Sequence, residues 1–106
     1  MNSRQKGARG ERMWRDVLKA AGFHARRGQQ FSGSPDSPDV VSESLELKPF
    51  HFEVKSTETF NAYNAMEQAV RDDPEKVPVV AHKRNHREWL VVMRAEDWLK
   101  MVKGEV

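Results

Sequence analysis

Two carboxylates and a lysine stand in an arrangement suited to phosphodiester hydrolysis. Asp39 directly follows Pro38, and thirteen residues further on comes Glu53-Val54-Lys55. Cutting a phosphodiester requires a positioned water and positive charge against the phosphoryl oxygens, and a hard divalent cation supplies both. Magnesium prefers carboxylate and water oxygens, so Asp39 and Glu53 on neighbouring strands would hold one ion and leave coordination positions for water and phosphate. Glu53 and Lys55 are two apart, so on a strand they share a face, and the ammonium lies where it can orient or activate the attacking water. Taken alone, the Glu-x-Lys pair also reads as a salt-bridged exposed strand face. The chain has no cysteine, so disulfides and thiolate sites are excluded and any metal rests on oxygen or imidazole ligands. A second Pro-Asp, Pro35-Asp36, competes for the first carboxylate, but only Asp39 is followed by the apolar pair Val40-Val41 that a core strand needs.

The elements that must position these groups follow from periodicity. Trp14, Val17, Leu18 and Ala21 recur at helical spacing, predicting a helix over 5–22 that stops at Gly22. A short strand is expected over 23–27, a Gly/Ser/Gln/Pro-rich loop over 28–38, a strand over 39–42 and a turn over 43–49. In Phe50-His51-Phe52-Glu53-Val54-Lys55 the side chains alternate, so a strand buries Phe50, Phe52 and Val54 on one face and turns His51, Glu53 and Lys55 to the other. Ala62, Met66, Ala69 and Val70 place a helix over 61–73, ahead of Pro74. Apolar runs over 77–83 and 89–93 flank the polar segment 84–88 as a hairpin, and a closing helix over 95–103 presents Trp98, Leu99 and Val102. The order is αβββαββα, an α/β (α+β) chain without internal repeat.

Composition sets the outer limits. A chain of 106 residues fits a single domain, 1–106, and leaves little room for a separate specificity module; 38% hydrophobic and 32% charged residues describe a globular chain with a highly charged surface. No run approaches a membrane span, and the polar, Arg-rich start lacks the apolar centre of a secretory signal, so a cytoplasmic protein is expected. The net charge of +2 is unevenly spread: residues 1–27 hold eight bases and two acids, an excess of six, and the remainder carries −4. A basic segment beside an acidic body suits a polyanion held near a cation site, and equally a solvated helix face. Arg4, Lys6 and Arg9 around the start of the first helix, Arg26 and Arg27 beside the loop, and Lys83, Arg84 and Arg87 at the hairpin are the candidate phosphate contacts. His82 and His86 are four apart but fall on a strand end and a turn, which argues against a zinc pair. His51 shares the Glu53 face and is most simply a packed or exposed histidine. Trp14, Trp89 and Trp98 read as core anchors.

Pro38-Asp39, the spacing, and Glu53-Val54-Lys55 together resemble the bipartite signature of the PD-(D/E)XK nuclease superfamily, and within it the small archaeal and phage Holliday junction resolvases. The resemblance runs from about residue 5 to residue 93. It implies a restriction-endonuclease-like core αβββαβ, a mixed central sheet flanked by helices, with a strand and a helix appended. It also implies a magnesium-dependent endonuclease, with manganese as a substitute, that acts on branched DNA and leaves a 5′-phosphate, works as a homodimer, and comes from a prokaryote or a phage-infected host. The Val54 carbonyl would join Asp39 and Glu53 on the metal. Glu11 lies about 60° from Trp14 and about 20° from Leu18 on a helical wheel, within the apolar arc. An inward carboxylate is costly to desolvate unless it faces a cation, and the resolvase-like pattern places a glutamate there; the alternative is a surface pair between Glu11 and Arg15. Gln68 falls in the helix after the Glu-x-Lys strand, where the resemblance puts a glutamine touching the active site.

Overall fold

The computed structural model describes residues 3–28 and 39–106, with the side chains of residues 3–6 left out. Elements follow in the order α1 (Ser3–Ala20), β1 (Arg26–Arg27), β2 (Val40–Val41), a 3-10 turn (Leu45–Leu47), β3 (Phe50–Ser56), α2 (Ala62–Asp72), β4 (Val77–Lys83), β5 (Leu90–Val92) and α3 (Ala95–Val102). This is the expected αβββαββα.

The strands form one sheet in the order β1-β2-β3-β4-β5. Only β3 and β4 run parallel, paired from Phe50↔Val77 to Ser56↔Lys83. Parallel neighbours need a crossover, which α2 provides. Both faces of β3 are consequently covered. Phe52 and Val54, with Val79 and Ala81 of β4, pack under Trp14 and Leu18 of α1; the ring of Trp14 meets Phe52 edge-on at 5.8 Å and Trp89 at 5.1 Å. On the other face Val80 packs against Ala65 and Ala69 of α2. Strand alternation thus divides the side chains as expected, but the Glu53 face is not the exposed one: His51 and Glu53 are buried beneath α2.

Two features seat the helices. α1 ends in a Schellman motif, with Phe23 N–H donating to Leu18 O (3.0 Å) and Gly22 N–H to Lys19 O (3.0 Å), and Gly22 at φ 99° supplies the left-handed turn. Inside α1, Gly10 lies against β3: a Cβ there would stand 2.7 Å from Ser56 Cβ. α2 begins at Asn61, whose side chain accepts the Asn64 N–H at 3.0 Å.

Several boundaries differ from those read in sequence. The strand expected over 23–27 shrinks to Arg26–Arg27, because its first backbone groups are claimed elsewhere: His24 N–H donates to Ser44 Oγ (2.8 Å), and the Ser42 hydroxyl donates to His24 O. The strand expected over 39–42 keeps only Val40 and Val41. α3 corrects another expectation. Its buried residue is Asp97, which accepts a hydrogen bond from Arg94 Nε at 2.8 Å. Trp98, at 55% exposure, is therefore no core anchor, and Leu99 and Val102 are exposed with it. Among the described residues, no helix is long and apolar enough to cross a membrane.

Candidate active site

Asp39 immediately precedes β2, and its Oδ2 accepts the Val54 N–H at 2.7 Å. That bond fixes the carboxylate against β3, beside Glu53. Glu53, 2% exposed, turns its Oε1 to the Lys55 ammonium at 3.4 Å, and Lys55 Nζ donates to Gln68 Oε1 at 3.0 Å. The strand contributes the acid and the base, the following helix the amide. Lys55 is so held from two sides, by Glu53 and by Gln68.

Glu11 completes the rim from α1. It is buried, as its helical phase requires, and Arg27 of β1 reaches its Oε1 through Nε (3.0 Å) and Nη2 (2.9 Å). Arg15 bonds Asp16 instead, at 2.9 Å, so the surface pair between Glu11 and Arg15 does not form. The Glu11 charge acts on Asp39.

The electrostatics of the carboxylate cluster favour a bound cation. Burial, and then the negative charge of Glu53, push the Asp39 carboxyl up to about 7; Glu11 adds to the rise, while the Val54 N–H and Lys55 oppose it. Glu53 Oε2 is buried without a hydrogen-bond partner among the described residues. Carboxylates that repel one another at close range are a donor set that a hard dication satisfies. Asp39 and Glu53 fit that role, with Glu11 beside them.

The basic residues separate into three groups. Arg9, Lys83 and Arg84, with Met13, Ser56 and Asn85, line a cleft of about 490 Å³ that begins at the residue following Lys55. Arg27 is engaged by Glu11, and Arg26 by Glu43 at 3.4 Å. Arg87 lies 3.6 Å from Glu88 on the exposed hairpin. The side chains of Arg4 and Lys6 lie outside the described residues, as does Asp36. His82 is stacked on Phe60 at 3.9 Å, with its Nε2 2.9 Å from Thr57 O, while His86 lies in the exposed hairpin turn.

Sequence reasoning missed two residues here. Gly10 brings α1 onto β3; a glycine inside a helical pattern is its signal, since it is otherwise a cost. His51, read as sharing the Glu53 face and packed or exposed, is packed: it is 3% exposed, with Nε2 3.9 Å from Glu53 Oε2. Asp72, one helical turn beyond Gln68, brings a carboxylate oxygen into the same group; its i, i+4 relation to Gln68 was the available clue.

The sheet order, the helix crossover and the Asp39, Glu53 and Lys55 cluster define the fold of a PD-(D/E)XK nuclease. Comparison with solved structures agrees. The Holliday junction resolvase of the hyperthermophilic archaeon Archaeoglobus fulgidus superposes with a TM-score of 0.60 at 28% identity, over 83% of this chain and 72% of that one. No protein-family model and no characterised protein sequence matches the chain.

Proposed function

We propose that the protein is a magnesium-dependent, structure-selective DNA endonuclease that resolves four-way junctions as a homodimer. The observation that carries this is the joining of Asp39, Glu53, Lys55 and Gln68 in one cluster built around the buried Glu53 on a fold similar to that of a resolvase.

Asp39 and Glu53, with Glu11 and the Val54 carbonyl, would hold the ion. When bound, magnesium supplies positive charge to the phosphoryl oxygens and acidifies a water. Lys55, oriented by Gln68, holds the attacking water in line with the scissile bond and offsets charge developing on the phosphate. The Val54 N–H bond to Asp39 Oδ2 would leave the other carboxylate oxygen for the ion. The cleft lined by Arg9, Lys83 and Arg84 accepts the neighbouring phosphates of the strand, contacts that fix position without reading sequence. Manganese, equally suited to oxygen ligands, substitutes. A twofold dimer presents two identical centres, as two matched nicks require. Branched double-stranded DNA in the cytoplasm of a prokaryotic cell or a phage-infected host is the substrate in this reading.

The test is incubation of the protein with labelled four-way junction, flap and linear duplex in magnesium or in EDTA, beside light scattering for the dimer. Paired symmetric nicks in the junction, lost in EDTA and in Asp39→Ala, are expected. Cleavage unchanged in Asp39→Ala sinks the catalytic assignment. Equal cleavage of linear duplex sinks the junction, and preferred cleavage of flaps moves the same chemistry to another branch.

A further inference from the structure

On the α2 side of β3, three ligand-bearing side chains converge that the nuclease chemistry does not use together. A ring nitrogen of His51, a Glu53 oxygen and an Asp72 oxygen all lie within 4.8 Å of one another. The first two groups are almost wholly buried, their side chains 2% and 3% exposed. His51 Nε2 and Glu53 Oε2 are also without a hydrogen-bond partner among the described residues.

We propose that His51, Glu53 and Asp72 form a second metal site, built for a borderline transition-metal dication such as Zn²⁺ and sharing Glu53 with the Asp39 centre. The argument starts from the gap. An imidazolium and a carboxylate free to pair close to roughly 2.7–2.9 Å, yet these two buried atoms stand 3.9 Å apart. Each forgoes a hydrogen bond in a place where an unmade one costs about 1–3 kcal/mol. An ion at about 2.0–2.2 Å from each atom spans such a separation, and Asp72 offers a third ligand oxygen beside the pair.

The donor chemistry selects the ion. Magnesium seeks oxygen and retains its waters, whereas imidazole with carboxylates suits zinc and its neighbours. His51 also borders a small cleft of about 50 Å³, together with Val40, Ser42, Phe50, Asp73 and Lys76. The two oxygens of Glu53 are divided by this arrangement. Oε1 lies toward Lys55 and Oε2 toward His51, so an ion on the His51 side anchors Glu53 from behind while its other oxygen serves the Asp39 centre. His51 and Asp72 are positioning residues in this scheme.

The proposal needs the fold but not the cleavage activity. Its test follows the His51 imidazole of the intact wild-type chain by ¹H–¹⁵N NMR during titration with Zn²⁺ and, separately, Mg²⁺. Isothermal calorimetry with Zn²⁺ then compares wild type with His51→Gln, Asp72→Asn and Asp39→Asn. The expected result is a ring response to one equivalent of Zn²⁺ and none to Mg²⁺, with Zn²⁺ affinity falling at least about tenfold in His51→Gln and in Asp72→Asn. Asp39→Asn retains the ring response. A wild-type ring indifferent to Zn²⁺ overturns the proposal, as does unchanged affinity in both His51→Gln and Asp72→Asn. Loss of the response in Asp39→Asn also overturns it, by merging the two centres. Absence of DNA cleavage with the ring response intact would refute the nuclease reading and leave this site standing.

Discussion

Asp39 gives up solvent to the fold and lies in the field of Glu53, so its carboxyl keeps its proton up to about pH 7, against 3.8 for the free group. The unfolded chain releases that proton near its ordinary value. Between about pH 4 and 7 the folded state therefore binds more protons than the unfolded one, and stability falls as pH rises through this window. A bound dication reverses the balance, because it favours the charged form and binds the folded chain alone. Thermal melts in EDTA should thus show Tm declining from pH 5 to 8, with magnesium restoring the loss most at the upper end. In Asp39→Asn both the decline and the magnesium effect should shrink, and a wild-type Tm flat across the range would contradict the assignment. The same linkage makes metal affinity rise with pH until about 7. Lys55, bonded to Gln68 at 3.0 Å, is expected to act on rate more than on binding. Lys55→Ala should lower kcat by about 10²–10⁴-fold with little change in KM for DNA, while Gln68→Ala, which leaves the ammonium in place but unguided, should cost less. A Lys55→Ala protein with normal single-turnover rates would remove the residue from the chemistry.

At the scale of elements, the close approach of α1 to β3 sets where Glu11 meets Asp39. Alanine at position 10 would gain about 1 kcal/mol of helix propensity, but its methyl would stand 2.7 Å from Ser56 Cβ, and overpacking costs about 1–3 kcal/mol. We expect Gly10→Ala to destabilise by about 1 kcal/mol in urea unfolding and to depress metal affinity by tilting Glu11 outward. Ser56→Gly in the same chain should recover part of both, a coupling that distant effects would not produce. The longer elements were legible in the sequence because burial imposes their period: Trp14 and Leu18 mark one face of α1, and Phe52 with Val54 one face of β3. β1 and β2 were legible only as positions. The length of β1 depends on the side chains of Ser42 and Ser44 taking the backbone groups of His24, a competition no periodicity announces. The exposure of Trp98 was equally hidden, since an amphipathic stretch declares an apolar face without declaring what covers it. The catalytic pattern stood out through spacing and strand alternation put His51 on the Glu53 face, whereas Asp72 joins them only through the packing of α2.

For the molecule as a whole, charge along the sequence becomes charge in space only after folding sorts the bases into engaged and available ones. Arg27 satisfies Glu11, whereas Arg9 of α1 meets Lys83 and Arg84 of the β4–β5 turn around one cleft, although more than seventy positions separate them in the chain. Each basic side chain that contacts a phosphate releases about one condensed counterion, so log K for DNA falls with log salt at a slope set by the number of such contacts. Replacing both Lys83 and Arg84 with alanine should flatten that slope by about two and weaken junction and duplex binding alike, because these contacts read no sequence. Arg27→Ala makes the contrasting case. Its guanidinium holds Glu11 near Asp39, so the loss should leave the salt slope nearly unchanged and instead move the metal requirement, because Glu11 loses the cation that orients it at the centre. Fluorescence anisotropy with a labelled junction, from low to physiological salt in calcium to hold cleavage off, separates the two behaviours. Equal slopes for wild type and the Lys83, Arg84 double variant would mean that the strand does not run through this cleft. A slope reduced equally by Arg27→Ala would mean that the Glu11 pair opens when DNA binds.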